Sequence, residues 1–310
     1  MASVRVHAWQ GEAAVTLAAG DLAATFLPDV GMLGVSLRHR GAELLALPQD
    51  LAGYREGHVT GLPLLAPWAN RLAGRHYRVG GVAVDLQGLP LATDPNGLPI
   101  HGTMSARSGW WLDLVRADAG SAWLRARFDY GARPELLASF PFPHELTVEA
   151  TVEPAALAVA TTLRPTGDWS VPVSFGWHPY LRLPGSRRRD WRLRLPGRSH
   201  LLLDALGLPD GDAKAEPAED AALGERTFDD LYALGADRRL AVADAERRLT
   251  VELGEGYPYA QVFAPPGQEL VSLEPMTAPV DALGSGRYEL VAPGGSFSAR
   301  FSIGVEDVRR

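Results

Sequence analysis

Between His144 and Glu153 the chain alternates with a strict period of two: Leu146, Val148, Ala150 and Val152 on one side, Glu145, Thr147, Glu149, Thr151 and Glu153 on the other. Successive side chains of an extended strand point to opposite faces, so this segment has one apolar face and one wet face. That is the pattern of an antiparallel sheet covered on one side. The neighbours repeat it. Ala122 to Tyr130 places Leu124, Ala126, Phe128 and Tyr130 on one face, and Ala156 to Leu163 follows as a third strand.

A chain committed to such strands needs many turns, and the composition supplies them. Its 310 residues include 33 glycines and 24 prolines, together above the average usage of roughly 12%. These residues are spread without a repeat period, which leaves little room for long helices. Arg75 to Leu86 reads as a hairpin turning at Gly80-Gly81. Ala14 to Arg38, broken at Gly20 and Pro28, reads as two short strands, and Gly53 to Thr60 as a loop. Pro134 to Ser139 has room for one or two helical turns. Trp191, Leu193 and Leu195 alternate with arginines, and strand signals resume at Leu240, Leu249, Ala260, Glu269, Tyr288 and Phe297. From Leu206 to Gly224 the chain is rich in Pro, Ala, Asp and Glu without periodicity. It reads as a long surface loop with a short helical piece near Pro217 to Leu223. The expectation is one all-β domain over residues 1–310, a large antiparallel β-sandwich.

Charge and cysteine content narrow the function. A net charge of −7 gives no basic footprint for nucleic acid or an anionic membrane. The absence of cysteine removes disulfides, thiolate catalysis and cysteine-held metals. The start of the chain lacks the apolar core of a signal peptide, and no apolar run approaches the ~20 residues of a membrane span. A cytoplasmic protein, monomer or homodimer, acting on a small polar molecule is the expectation.

Three stretches carry chemistry. In Val171 to Gly185 an alternating strand ends at His178, and Pro179 removes a backbone donor and stiffens the histidine. Glu274 stands at the same kind of corner, on the strand holding Val271 and Leu273 and just before Pro275; Pro279 to Leu283 then reads as one helical turn closed by Gly284. Gly61 to Leu72 presents Asn70 and Arg71 from an apolar loop stiffened by two prolines, and Asn96 to Gly102 delivers His101 between proline and glycine. Each has a plainer reading as well: a histidine filling a turn, a glutamate capping the turn that follows it. The run Arg187 to Arg189 reads as a solvated hairpin tip in preference to an anion site. The chain has no G-x-S-x-G, G-x-G-x-x-G or Walker sequence. His101 and His178 lack the H-x-x-H or H-E-x-x-H spacing of a zinc site, so no metal is expected. A carboxylate, histidines and an arginine suit proton transfer on a polar substrate.

These residues in this order, Asn70-Arg71, His101-Gly102, His178-Pro179-Tyr180 and Glu274 in LEPMTAPVDAL, resemble the motif set of the aldose 1-epimerases, or galactose mutarotases, in a divergent bacterial form. The resemblance runs from about Gly61 to the end. It implies a galactose mutarotase-like supersandwich that interconverts the α and β anomers of a free hexose with no cofactor. It further implies Glu274 as the base on the anomeric hydroxyl and His178 as the acid at the ring oxygen. Arg71, His101, Asn70 and an aspartate would bind sugar hydroxyls; Asp229, opening an Asp-x-x-aromatic stretch, is the first choice and Asp230 the rival. One glycine follows His101 where many relatives have two, and Asn96 lies five residues before the histidine instead of beside it. Two other readings stand beside this one: a hexose-6-phosphate epimerase, and a non-catalytic sugar-binding module using Trp68, Trp110, Trp111 and Trp177 as stacking platforms.

Overall fold

The computed structural model describes residues 1–308, and residues 309 and 310 of the expected domain lie outside it. Strands dominate. Nine of them form one sheet in the order Glu219–Ala222, Arg192–Leu195, Arg239–Ala243, Arg247–Leu253, Phe297–Asp307, Ala156–Pro165, His144–Glu153, Ala122–Asp129, Trp111–Ala117. Facing it is a sheet that runs Pro209–Glu216, Arg198–Leu203, Phe228–Leu234, Tyr259–Ala264, Val271–Met276, Gly176–Trp177, Leu64–Leu65, with Tyr180–Leu181 also paired to Val271–Met276. A third, five-stranded sheet holds the first forty-odd residues.

Residues 144–153 form an interior strand of the larger sheet, third from its Trp111–Ala117 edge. Leu146, Val148, Ala150 and Val152 are each at most 1% exposed, and the intervening residues are not buried. Their partners Leu163, Val159 and Leu157 on one side and Phe128, Ala126 and Leu124 on the other are buried in the same face. Full burial of each Val or Leu is worth about 1.5–3 kcal/mol, and this repeated burial fixes the register, because a slip by one residue would turn the glutamates inward. The two large sheets meet through Trp177, whose indole N–H donates to Thr161 Oγ1 at 3.0 Å and whose ring lies 6.0 Å from that of Phe301.

Several sequence expectations need correction. Residues 206–224 are not a loop with a helical piece; they form the strands Pro209–Glu216 and Glu219–Ala222. Pro209–Glu216 is an edge strand exposed on both faces and held by backbone pairing to Arg198–Leu203, so no apolar period marks it. Within the stretch read as a loop at Gly53 lies part of a short helix, Leu51–Arg55, started by Asp50, whose carboxylate accepts from Gly53 N–H at 2.9 Å. Ala14 to Arg38 contributes three strands, Glu12–Ala19, Leu22–Leu27 and Leu33–His39, because the turn at Gly20 splits the first segment. Glu274 does not end its strand, which runs on through Pro275 to Met276. The turn after it is Ala282–Ser285, closed by Gly286 in the left-handed region instead of by Gly284. Arg188 is no solvated tip: it is buried, and its guanidinium donates to the carbonyls of Gly224, Arg226 and Ala264.

Candidate active site

The cleft is floored by three adjacent strands of the smaller large sheet. Strand periodicity sends Val271 and Leu273 into the sandwich core and their neighbours Ser272 and Glu274 out of the other face. Register then does the rest. Gln261 stands directly opposite Glu274, Phe263 opposite Ser272, and Asp229 opposite Phe263. His178 arrives from the neighbouring Gly176–Trp177 segment, with its backbone N–H on Pro63 O at 3.2 Å. Gly176 makes this approach feasible: a β-carbon there would lie 2.3 Å from Met276 Sδ and 2.8 Å from Pro275 O. The Asn70 and His101 segments complete the wall. Both residues adopt positive φ, 59° and 63°, and the His101 N–H donates to Asn70 O at 3.0 Å.

The resulting cleft has a volume of about 350 Å³ and is lined by all six residues singled out in the sequence: Asn70, Arg71, His101, His178, Asp229 and Glu274. Asp230, the rival to Asp229, turns away, toward His200 Nε2 at 3.3 Å. Trp68, Trp110 and Trp177 are buried and Trp111 stands exposed on an edge strand; none of them lines the cleft. Arg187 to Arg189 also lie outside it.

At the floor, Glu274 Oε1 approaches His178 Nε2 to 3.0 Å, with both side chains almost fully buried. The approach is a close contact without the alignment of a hydrogen bond. The protonation of the imidazole follows from its other nitrogen. Ser272 Oγ gives its one proton to Pro179 O at 2.9 Å, so it can only accept from His178 Nδ1 at 3.0 Å. Nδ1 therefore carries a hydrogen and Nε2 is the nitrogen free to exchange one. Tyr180 stacks on the ring at 4.3 Å between centroids and holds its plane.

Burial governs the charges. It drives the His178 pKa down and is the largest cause of the rise at Glu274, where the charge of Asp229 adds to it and Arg71 opposes it. A dry floor thus favours neutral imidazole beside protonated carboxyl. Moving that one proton from Glu274 to Nε2 converts the couple to carboxylate and imidazolium without changing its total charge. His101 is likewise held well below its ordinary pKa, by burial first and then by His178 and Arg71, and its ring meets that of His178 edge-on at 5.8 Å.

Arg71 forms the far wall. Its Nε donates to Asp94 Oδ2 at 2.9 Å, one terminal nitrogen to Asn70 Oδ1 at 3.2 Å and the other to Asp229 Oδ2 at 3.3 Å. Asp229 also accepts from Gln261 Nε2 at 2.7 Å. Burial would raise the Asp94 pKa, but hydrogen bonds from Leu98 N–H, Arg71 and Asn96 N–H outweigh it and hold the carboxylate ionised. Both oxygens of Glu274, Gln261 Oε1 and His101 Nδ1 have no hydrogen-bond partner among the described residues. Unpartnered buried polar atoms are costly. Here they converge on one cleft, the arrangement that a ligand rich in hydroxyls satisfies.

Asp94, Gln261 and Ser272 were not picked out in the sequence. Asp94 had a signal, since Asp-Pro-Asn-Gly is a turn in which the aspartate accepts from the backbone two and four residues on. Gln261 and Ser272 had none, because only cross-strand register brings them to the cleft. Among the described residues no three His, Asp or Glu side chains group as metal ligands, and no helix is long and apolar enough to cross a membrane.

Known proteins agree with this architecture. A galactose mutarotase-like protein from Clostridium acetobutylicum superposes with a TM-score of 0.88 over 99% of both chains at 20% identity. Galactose 1-epimerase from Lactobacillus acidophilus does so at 0.78, with 14% identity over 100% of this chain and 99% of that one. The GalM/aldose epimerase homologue from C. elegans gives 0.73 at 14% identity over the full length of both. At such identities the likeness is one of fold, and no curated protein matches the sequence. The aldose 1-epimerase family model matches residues 14–304, nearly the whole chain, and the chain belongs to the aldose 1-epimerase family.

Proposed function

We propose that the protein is a mutarotase for a free aldohexose, with Glu274 and His178 as its proton-transfer pair. The observation that carries this reading is the 3.0 Å approach of Glu274 Oε1 to His178 Nε2 at the floor of a cleft lined by unpartnered polar groups.

Opening a cyclic hemiacetal removes the proton from the anomeric hydroxyl and adds one to the ring oxygen as the C1–O5 bond breaks. A carboxylate on Glu274 takes the first, and the Nε2 hydrogen of an imidazolium on His178 supplies the second. The pair is left as carboxyl and neutral imidazole, the form that burial favours. Rotation about the C1–C2 bond presents either face of the aldehyde, and closure runs the same transfers backwards. The enzyme ends with the protons it began with. Each partner contributes about 10²–10⁴-fold.

Arg71, His101, Asn70 and Asp229 bind hydroxyls in this reading. Arg71 is held rigid by three acceptors, so it enters the complex with little rotamer entropy left to lose. Polarimetry on freshly dissolved α-glucose and α-galactose is the test. Acceleration of either over the spontaneous rate is the expected result; no acceleration of any free aldohexose overturns the reading.

A further inference from the structure

Asp281, in the LEPMTAPVDAL stretch, does not line the cleft, yet it grips the segment that carries Arg71. Its backbone N–H donates to Arg71 O at 2.9 Å, and its Oδ1 accepts from Ala73 N–H at 2.8 Å. The two bonds hold the residues on either side of Leu72, which is itself buried and donates its N–H to Pro99 O at 2.9 Å. The backbone beneath Arg71 is thus fixed from two directions, by the segment leading to His101 and by Asp281.

The fold holds this aspartate in a demanding conformation. Its φ is 55°, in the left-handed region that residues other than glycine seldom adopt, and such residues persist only where their surroundings over-determine them. The surroundings do so here. Val280, Ala282 and Leu283 on either side are buried, and Asp281 O accepts from both the N–H and the hydroxyl of Ser285, at 2.9 and 2.7 Å. Gly284 makes room for the carboxylate: a β-carbon there would collide with both of its oxygens. Among the described residues that carboxylate meets backbone donors and no cation. The segment continues from the strand of Glu274 through Thr277, whose N–H donates to Phe175 O at 3.0 Å, so Asp281 joins the wall of the cleft to its floor.

We infer that Asp281 is a positioning residue for substrate binding, setting the place of the Arg71 guanidinium relative to Glu274. The inference rests on the mutarotase reading of the cleft, in which Arg71 binds hydroxyls. The three acceptors of the guanidinium come from separate segments, at Asn70, Asp94 and Asp229. They orient it only while the backbone beneath it stands at the right distance from all three. A shift of that backbone weakens the donors offered to the sugar in ground state and transition state alike, so the loss falls on KM. The Glu274–His178 pair keeps its own supports, Ser272 and Tyr180, so kcat is spared.

Mutarotation kinetics on glucose and galactose, with urea unfolding of each protein, test this on Asp281→Gly, Asp281→Asn, Arg71→Ala and the double variant Arg71→Ala/Asp281→Gly. Glycine keeps the left-handed turn and its N–H but removes the acceptor for Ala73, whereas asparagine tolerates the same φ and retains a carbonyl oxygen. Asp281→Gly is expected to raise KM about three- to tenfold with kcat within about twofold of wild type, and Asp281→Asn to restore KM. If Asp281 acts through Arg71, the double variant should have a KM no worse than that of Arg71→Ala. An unchanged KM in Asp281→Gly, a fall in kcat that matches the rise in KM, effects that multiply in the double variant, or failure of Asp281→Gly to fold would each overturn the positioning role. If no free sugar is turned over, the mutarotase reading fails alone, and proton exchange of the Arg71 Nε–H followed by NMR decides the clamp. Exchange about three- to tenfold faster in Asp281→Gly and unchanged in Asp281→Asn retains it; equal exchange in all three proteins overturns it.

Discussion

The chemistry of the floor turns on where one proton resides. Burial lowers the His178 pKa and raises that of Glu274, so the couple resists both gaining a second proton in acid and losing the shared one in alkali. The pH profile of kcat/KM is therefore expected to be a broad plateau across neutrality. A single inflection near the ordinary histidine value of 6.5 would show that His178 titrates alone. Ser272 tests the tautomer. In Ser272→Ala the Nδ1 hydrogen loses its acceptor, the imidazole is free to carry its proton on either nitrogen, and kcat should fall by about tenfold with KM little changed; unchanged kcat with the same pH profile would assign Ser272 to packing. At the other wall, with Arg71 in its proposed role, Arg71→Ala should raise KM by roughly 10- to 100-fold through the loss of charge-assisted hydrogen bonds to hydroxyls. It also leaves the Asp94 carboxylate, only 1% exposed, without its cation, so some loss of stability in denaturant should accompany the KM change.

At the scale of elements, the site depends on close packing between the segments that deliver it. Gly176 lies between Leu65 and Met276 across the sheet, and a methyl group there would press on Met276 Sδ and Pro275 O. Gly176→Ala should cost about 1–3 kcal/mol in urea unfolding and also lower kcat, because the displaced backbone carries His178 on one side and Glu274 on the other. A variant with wild-type stability and activity would show that these segments have slack. What could be read in advance follows the same division. His178 and Glu274 announce themselves through the prolines that follow them, and Leu146 to Val152 through their period of two. Gln261 and Ser272 reach the cleft only because of which strand lies beside which, and register is a property of pairs of strands. Pro209–Glu216 and Glu219–Ala222, edge strands of two different sheets, stayed hidden because strand periodicity records burial, and neither strand has a buried residue.

Over the whole molecule, the sandwich holds a histidine and a glutamate 96 positions apart in sequence at 3.0 Å. The two sheets are locked by Trp177, adjacent to His178 yet facing the core. Trp177→Phe keeps the ring contact but strands the Thr161 hydroxyl in the interior, so a loss of about 1–3 kcal/mol is expected with the cleft still formed. Equal stability would place the clamp between the sheets elsewhere. The central claim is that Glu274 and His178 work as one proton-transfer unit on a sugar in this cleft, and polarimetry on the α-anomer of a turned-over hexose with Glu274→Gln, His178→Asn and the double variant tests it most directly. The account predicts a fall in kcat of about 10²–10⁴-fold for each single variant with sugar binding retained, and a double variant scarcely worse than the poorer single. Near-normal mutarotation by Glu274→Gln would contradict it.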